Sequence, residues 1–227
     1  MEEFDPEKYK KMVRSYQEND DPTGWFENIY AQAQGDYKAI FWADLEPSPY
    51  LVEWIKQHPL KKKAKAIVIG CGVGDDCEAL SKFGYEVIGF DISKSAVDLC
   101  KKRYPNSKVS YLVADLFNYS KEWFRVFDLV YECNTIQVLP GKYRIQAREA
   151  ITDLVCPNGH VLVSCRSRNK GEQEDDIPLP LDRNEINGFI TPFITQESFL
   201  AYDDTQEPSV PHFFAVYKRH KNKLNHS

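Results

Sequence analysis

Short apolar runs alternate with segments of helical periodicity between residues 61 and 165. The apolar runs are four to six residues long and rich in β-branched side chains, which is typical of strands buried on both faces. Regular alternation of strands and helices implies parallel strands joined by right-handed crossovers. The pattern therefore predicts an α/β fold, with helices beginning at 75, 94 and 142 and strands over 66–69, 85–90, 109–113, 127–131 and 160–164.

The flanking segments are more polar and less regular. Residues 1–60 contain three helix candidates, over 1–20, 25–33 and 50–55. We expect an N-terminal helical extension, whose first helix either covers the site as a lid or packs on the core. Residues 61–219 form the predicted main domain, and 220–227 a disordered tail. Within the domain, 166–182 is predicted to be a loop, and 189–194 and 212–217 two further strands.

A glycine-rich stretch follows the first predicted strand. Gly70, Gly72 and Gly74 stand at alternate positions, and two aspartates then begin a helix. Glycine admits positive φ and lets a ligand approach the backbone closely. The next strand ends on Asp91. Because ligands of open α/β sheets bind beyond the carboxyl ends of the strands, we expect a nucleotide-like ligand here, with Asp91 on its ribose hydroxyls.

The spacing of the glycines restricts the type of nucleotide. A dinucleotide fingerprint has the pattern G-x-G-x-x-G, but the third glycine comes one residue early and Asp75 stands in its place. Asp75 and Asp76 would also lie where a pyrophosphate should bind, which disfavours NAD and FAD. Such acids suit a ligand that carries a cationic sulfonium and an amino group.

The run VIGCGVG resembles the first motif of the class I S-adenosylmethionine (SAM)-dependent methyltransferases, acid-x-G-x-G-x-G. It departs from that motif at Val68, where the family often has an acid. The resemblance implies SAM as cofactor and a Rossmann-like, mostly parallel seven-stranded sheet. Helices would cover both faces, and the last two strands would form an antiparallel pair.

The resemblance also implies which residues contact the cofactor. The acid at the third strand end, Asp115, would meet the adenine amino group, and the tryptophan before two prolines, Trp42, would cover the cofactor. Other interpretations remain open: Asp91 and Asp115 could cap local structure, with Ser93 capping the following helix, and Trp42 could be a core anchor. The predicted contacts are Trp42, Gly70, Cys71, Gly72, Gly74, Asp91, Ile92, Asp115, Leu116 and Glu132.

Four other stretches resemble a narrower group, the thiopurine, thiol and halide methyltransferases. They are the entry segment of Trp42 with Glu46-Pro47-x-Pro49, the stretch Glu132…Leu139-Pro140-x-x-x-Arg144, the loop Leu179-Pro180-Leu181 with Glu185, and the last strand over 212–219. Many thiopurine-type members carry arginine directly after the acid, where this chain has Cys133. A cation on the acceptor side is therefore missing, and we expect aromatic thiol acids to be poor acceptors.

Composition narrows the range of functions. The 227 residues carry a net charge of −5 with a pI of about 5.6, which argues against a general nucleic-acid binder. No apolar run approaches 18 residues, so no membrane span is predicted. The charged N-terminus does not suit a signal peptide, and six cysteines without C-x-x-C are interpreted as reduced thiols in a cytoplasmic protein. The five histidines have no ligand spacing, so no metal site is expected.

These observations predict a SAM-dependent methyltransferase that acts on a small molecule, with a thiol or halide as the leading acceptor. Glu132 could receive or steer an acceptor proton. A protein or RNA methyltransferase and a non-catalytic SAM-binding module are the alternatives, although the sequence shows no basic face for a polymer. A NAD-dependent oxidoreductase is disfavoured by the early third glycine. The sequence does not indicate an oligomeric state.

Overall fold

The computed structural model describes residues 5–60, 62–172 and 177–221. Within these ranges the strands are β1 Lys65–Ile69, β2 Glu86–Asp91, β3 Ser110–Val113, β4 Phe127–Cys133, β5 Val155–Arg166, β6 Ile194–Asp203 and β7 Pro211–Arg219. The α-helices are α1 Pro6–Glu18, α2 Gly24–Gln32, α3 Pro49–Gln57, α4 Asp75–Lys82, α5 Lys94–Arg103, α6 Gly141–Leu154 and α7 Arg183–Asn187. Short 3₁₀ turns include Leu116–Asn118 and Ile136–Val138.

The strands form one sheet in the order β3-β2-β1-β4-β5-β7-β6. The first five are parallel, and β7 is antiparallel to both of its neighbours. The predicted fold class is therefore confirmed. From β1 the chain first builds outward through β2 and β3 and then returns to β4 on the other side. This reversal leaves a crevice at the carboxyl ends of β1 and β4, the usual ligand position in such sheets.

Local sequence signals fix the elements of this central region. Residues 66–69 of β1 are almost fully buried, with side chains packed in hydrophobic clusters on both faces of the sheet. Helix α4 begins at Asp75, as the two aspartates predict. Ser93 caps α5, because its hydroxyl accepts a hydrogen bond from the Ala96 N–H at 3.0 Å. These elements place the glycine loop and Asp91 at the crevice.

The prediction of a strand over 189–194 is wrong. Phe189 lies just after α7, where its ring is buried and stacks on Tyr217. A tight turn follows, in which Thr191 and Ile194 exchange backbone hydrogen bonds of 3.0 and 3.1 Å. Strand β6 then runs from Ile194 to Asp203. It was missed because it lies at the sheet edge, where half-exposed polar positions hide the alternation that marks a strand.

The N-terminal helices pack on the core. Val13 of α1 and Trp25 of α2 are each only 1% exposed, and Trp54 of α3 is also buried. The first helix is therefore ordered over the described residues and packs against Trp25. Most of the predicted tail, residues 222–227, lies outside the described residues. None of the described helices combines the length and the apolar character that crossing a bilayer requires.

Candidate functional site

The glycine loop between β1 and α4 has a left-handed backbone at all three glycines. Gly70, Gly72 and Gly74 all have positive φ, at +59°, +54° and +92°. The Cys71 N–H donates to the Phe90 carbonyl at 2.9 Å, which ties the loop to β2. A Cβ added at Gly72 would meet only the Tyr30 hydroxyl at 3.1 Å and the Gly70 carbonyl at 3.9 Å. A Cβ at Gly70 would meet the Thr135 hydroxyl and one at Gly74 the Tyr111 hydroxyl, so Gly72 is the glycine with the most space above its backbone.

Asp91 connects this loop to the start of α5. Its Oδ2 accepts from the Gly72 N–H at 3.1 Å, and its Oδ1 accepts from the Ser93 N–H at 2.9 Å. Burial raises the pKa of Asp91 to about 6, against the opposing effect of these hydrogen bonds, and the Glu27 charge raises it further. Each oxygen can still accept another bond. Asp91 thus supports local structure and keeps acceptor capacity for ligand hydroxyls.

The third strand end adds a second acid at the same edge. Asp115 accepts from the Phe117 N–H at 2.8 Å and so begins a 3₁₀ turn, as the capping interpretation requires. The Ala114 N–H donates to the Asp91 carbonyl at 3.0 Å, which keeps the two strand ends adjacent. Ile92 presents a large apolar side chain that is 37% exposed. This edge therefore combines acids with an apolar surface, the combination that a nucleoside needs.

Glu132 is a buried carboxylate at the end of β4. Its Oε1 accepts from the Thr135 and Ile136 N–H groups at 2.6 and 2.7 Å. Among the described residues, its Oε2 has no hydrogen-bond partner. Burial raises the pKa of Glu132 to about 7, and the two N–H groups oppose that effect. The Thr135 hydroxyl donates to the Ile69 carbonyl at 3.3 Å, which fixes this turn beside the glycine loop.

Helix α2 contributes two residues that the sequence analysis missed. Tyr30 lies over Gly72, and its hydroxyl accepts from the indole N–H of Trp42 at 3.3 Å. Glu27 accepts from the Ser93 hydroxyl at 2.7 Å and the Ser95 N–H at 3.0 Å, which fastens α2 to α5 beside Asp91. No sequence motif marks either residue. Their roles arise only because α2 docks on a helix more than 60 residues away.

An aromatic cluster forms beside the glycine loop. Trp42 makes edge-on contacts with Trp25 and Tyr30, with ring centroids 6.0 and 5.7 Å apart. It is therefore a packing residue, and through Tyr30 it is also linked to the glycine loop. The aromatic cluster consists of Val13, Trp25, Val138 and Ile177 with Tyr9, Met12, Tyr16, Phe26, Ile29, Trp42 and Leu179. Residues from three segments that are distant in sequence, Trp42, Val138 after β4 and Leu179, thus meet in one cluster.

Arg144 connects two of these segments. It donates to the carbonyls of Leu139 at 2.9 Å and Leu179 at 2.7 Å, and it forms an ion pair with Glu185. Arg168 adds a second bond to Glu185 at 2.7 Å. The segments Leu139…Arg144 and Leu179…Glu185 are therefore parts of one buried network. Arg144 is 1% exposed, so it acts as a structural link between these two segments.

The two acids that follow the glycines, Asp75 and Asp76, have different partners. Asp75 forms a bidentate ion pair with Arg103 and accepts from the Tyr104 hydroxyl at 3.0 Å. The expectation that both acids face the ligand is therefore wrong for Asp75. Asp76 accepts from the Ser48 N–H at 2.8 Å. Burial raises the pKa of Asp76 to about 6, and the like charge of Asp75 adds to the effect.

The cysteines are all free thiols. Cys71 and Cys100 lie together under the glycine loop, where the Cys100 thiol donates to the Gly72 carbonyl at 3.1 Å. Burial raises the pKa of Cys133, the residue that follows Glu132. In the part of the chain that the structure describes, no three His, Cys, Asp or Glu side chains are grouped as a metal ion would need.

Comparison with known proteins agrees with this geometry. Residues 67–163 match a family described as "Methyltransferase domain". A "Probable thiol methyltransferase 2" of Arabidopsis thaliana is 32% identical over 121 residues, 52% of each chain. A "Ubiquinone biosynthesis O-methyltransferase" of Proteus mirabilis (strain HI4320) is 26% identical over 138 residues, 56% of each chain. The chain therefore spans about half the length of these relatives.

Solved structures extend the likeness to nearly the whole chain. The Burkholderia thailandensis 1,6-didemethyltoxoflavin-N1-methyltransferase, whose structure contains S-adenosylhomocysteine, superposes with a TM-score of 0.69. At 13% identity, this match covers 97% of this chain and 93% of the other. The solved structures therefore share the fold of this chain, and residues 67–163 carry the likeness to the methyltransferase-domain family.

Proposed function

We propose that the protein binds SAM in the crevice and transfers its methyl group to a small-molecule acceptor. The observation that carries the proposal is the open glycine loop whose Gly72 N–H is bonded to the buried carboxylate of Asp91. In this proposal Asp91 accepts the ribose hydroxyls, Asp115, Ile92 and Leu116 surround the adenine, and Cys71 and the glycines present main chain. The missed residue Tyr30 joins Trp42 as cover.

Bound SAM would supply a methyl group on a positively charged sulfur. The protein then has to align the acceptor, keep water out and manage the acceptor proton. The aromatic cluster fits the first two tasks, because its walls are mostly apolar and Arg144 holds them in place. An aromatic face beside the cationic sulfur is also favourable.

A thiol or a halide is the acceptor that we favour. The support is the thiol methyltransferase relative and the largely apolar walls, which desolvate a small soft nucleophile more readily than they order a polymer. The second relative, an O-methyltransferase, shows that related domains also serve oxygen acceptors. A cytoplasmic location fits six free thiols.

The proposal is tested by measuring S-adenosylhomocysteine release with a panel of acceptors at matched concentration. We expect small thiols, hydrosulfide or iodide to react faster than any peptide or RNA. Calorimetry should also show that SAM and S-adenosylhomocysteine bind while NAD does not. Turnover confined to a peptide or RNA would end the small-acceptor proposal, and tighter binding of NAD than of SAM would end the cofactor proposal.

Glu132 is proposed to take the proton of a thiol acceptor through its unpartnered Oε2. Glu132→Gln keeps the carbonyl oxygen that Thr135 and Ile136 need but removes the base. We expect a loss of thiol methylation of about 100-fold, the size typical of a removed general base. Because the pKa is about 7, the wild-type rate should rise with pH through that value. Iodide carries no proton, so equal losses with iodide and thiol would assign Glu132 to the turn alone.

A further inference from the structure

Arg166 ends β5 at the same edge of the sheet as the candidate site. Its backbone N–H donates to the side-chain oxygen of Gln137 at 2.5 Å. The Gln137 carbonyl in turn accepts from the Leu179 N–H at 2.7 Å. Since Val138 and Leu179 belong to the aromatic cluster, these bonds fix the position of Arg166 relative to the acceptor walls.

The side chain of Arg166 is half-buried, yet within the described ranges its guanidinium makes no hydrogen bond and no ion pair. The other arginines of this region differ. Arg144 and Arg168 share Glu185, and Arg103 pairs with Asp75. A guanidinium presents five donors, and a half-buried one without an acceptor carries a desolvation cost that an anion would remove.

The charge of Arg166 affects the pKa values of two side chains, Tyr9 and Asp204. Burial raises the pKa of Tyr9, a member of the aromatic cluster, and the positive charge of Arg166 partly offsets that rise. Burial also acts to raise the pKa of Asp204, but the backbone bonds from Val210 and Gln206, with the charges of His212 and Arg166, lower it. The Asp204 carboxylate is thus held by the backbone, and it is not within ion-pair distance of Arg166. The charge of Arg166 therefore acts on Tyr9 of the aromatic cluster as well as on Asp204.

We propose that Arg166 recognises the negative charge of a small monoanionic acceptor at the rim of the aromatic cluster. This inference rests on the proposed function. The charge can lie on the nucleophile itself, as in hydrosulfide or iodide, or on a carboxylate beside a thiol. Arg166 then supplies the cation that is missing at Cys133. It also argues against the expectation that aromatic thiol acids are poor acceptors, because a planar guanidinium binds a carboxylate through two hydrogen bonds.

The alternative to an anionic acceptor is a positively charged one. Asp44 lies in the loop between Trp42 and α3, where burial and the like charges of Glu46 and Asp204 raise its pKa. Such an acid would suit an amine. Asp44 is exposed and lies near other acids, whereas Arg166 is half-buried and close enough to Tyr9 of the aromatic cluster to affect its pKa, so we favour the anion.

The turnover test compares 3-mercaptopropionate with its amide, which carry the same thiol with and without the negative charge. For the wild-type protein we expect a KM at least tenfold lower for the acid. Arg166→Gln should raise the KM of the acid at least tenfold and leave the amide within twofold, while Arg166→Lys should recover part of the loss. Lys101→Gln removes the same charge from an exposed position of α5 and should change neither KM. Equal effects of Arg166→Gln on both acceptors would overturn the proposal.

Iodide and hydrosulfide show whether Arg166 recognises a charge on the nucleophile itself or only a carboxylate beside a thiol. If Arg166→Gln weakens these ions as well as the acid, the site recognises any small anion. If it weakens only the acid, the site recognises a carboxylate. Either result supports a charge-recognition role for Arg166, whereas no effect on any anion would contradict it.

A binding measurement tests the anion site without requiring methyl transfer. Benzoate, benzamide and benzylamine are titrated into the protein saturated with S-adenosylhomocysteine. We expect benzoate to bind most tightly and to lose at least tenfold in affinity in Arg166→Gln, with benzamide unchanged. That result without turnover of any acceptor would refute the proposed activity and leave the anion site standing. Preferential binding of benzylamine would refute the anion site.

Discussion

Replacing Gly72 by valine is expected to abolish cofactor binding and to leave the protein folded. At φ +54° a β-branched residue is strained, at a cost of about 1–3 kcal/mol. Its Cβ would come within 3.1 Å of the Tyr30 hydroxyl, the movable end of a side chain, so the fold can adjust. The added methyl groups would fill the cradle that a ligand needs. Calorimetry with S-adenosylhomocysteine and a thermal melt measure the two effects.

Gly171 supplies a matched control for the glycine experiment. It also has a positive φ, +86°, but a Cβ there would have nothing within 4 Å. Gly171→Val therefore imposes similar backbone strain away from the crevice. It should lower the melting temperature to a similar extent and keep cofactor affinity. If Gly72→Val retained full affinity, the glycine loop would not contact the cofactor.

Replacing Asp91 by asparagine should weaken SAM binding by about 2–4 kcal/mol, the order expected when two charge-assisted hydrogen bonds to ribose hydroxyls are lost or weakened. The asparagine side chain matches the shape of the carboxylate and keeps one oxygen for the Ser93 or Gly72 N–H. Calorimetry at pH 7.5 measures the affinity change. Wild-type affinity should also fall below pH 6, because Asp91 is then protonated. An unchanged affinity in the variant would assign Asp91 to local structure alone.

The same substitution should change how the stability of the fold depends on pH, while the bond to one of the two backbone N–H groups is lost because the new amide NH2 is a donor. The folded pKa of Asp91, about 6, lies above its unfolded value of 3.8, so the folded state prefers the protonated form. That contribution to stability is complete below pH 3.8 and is lost as the pH rises through 6, a change of about 3 kcal/mol for two pKa units. Relative to wild type, the melting temperature of Asp91→Asn should therefore rise between pH 4 and pH 7.

The sequence was sufficient for the central elements of the fold. β1, α4, β2 and α5 carry strong local signals: a β-branched run, glycines at positive-φ positions, aspartates at a helix start and Ser93 as a cap. Each of these follows from short-range sterics and hydrogen bonding, which neighbouring residues determine. The same signals indicated the glycine loop and Asp91 as ligand positions. The edge strand β6 was mispredicted because one of its sides faces solvent, so its pattern of burial is weak.

Tertiary packing decided the roles of the other charged and aromatic residues. Glu27 and Tyr30 look like ordinary helix positions and acquire a role only where α2 docks beside Asp91. The sequence showed that the arginine expected at Cys133 is missing, but it could not show which other arginine keeps an unpaired charge. In the fold, Arg144 is buried against Glu185 and two carbonyls, while Arg166 keeps its donors. Charge pairing depends on side chains that are distant in sequence and close in space, so no local pattern records it.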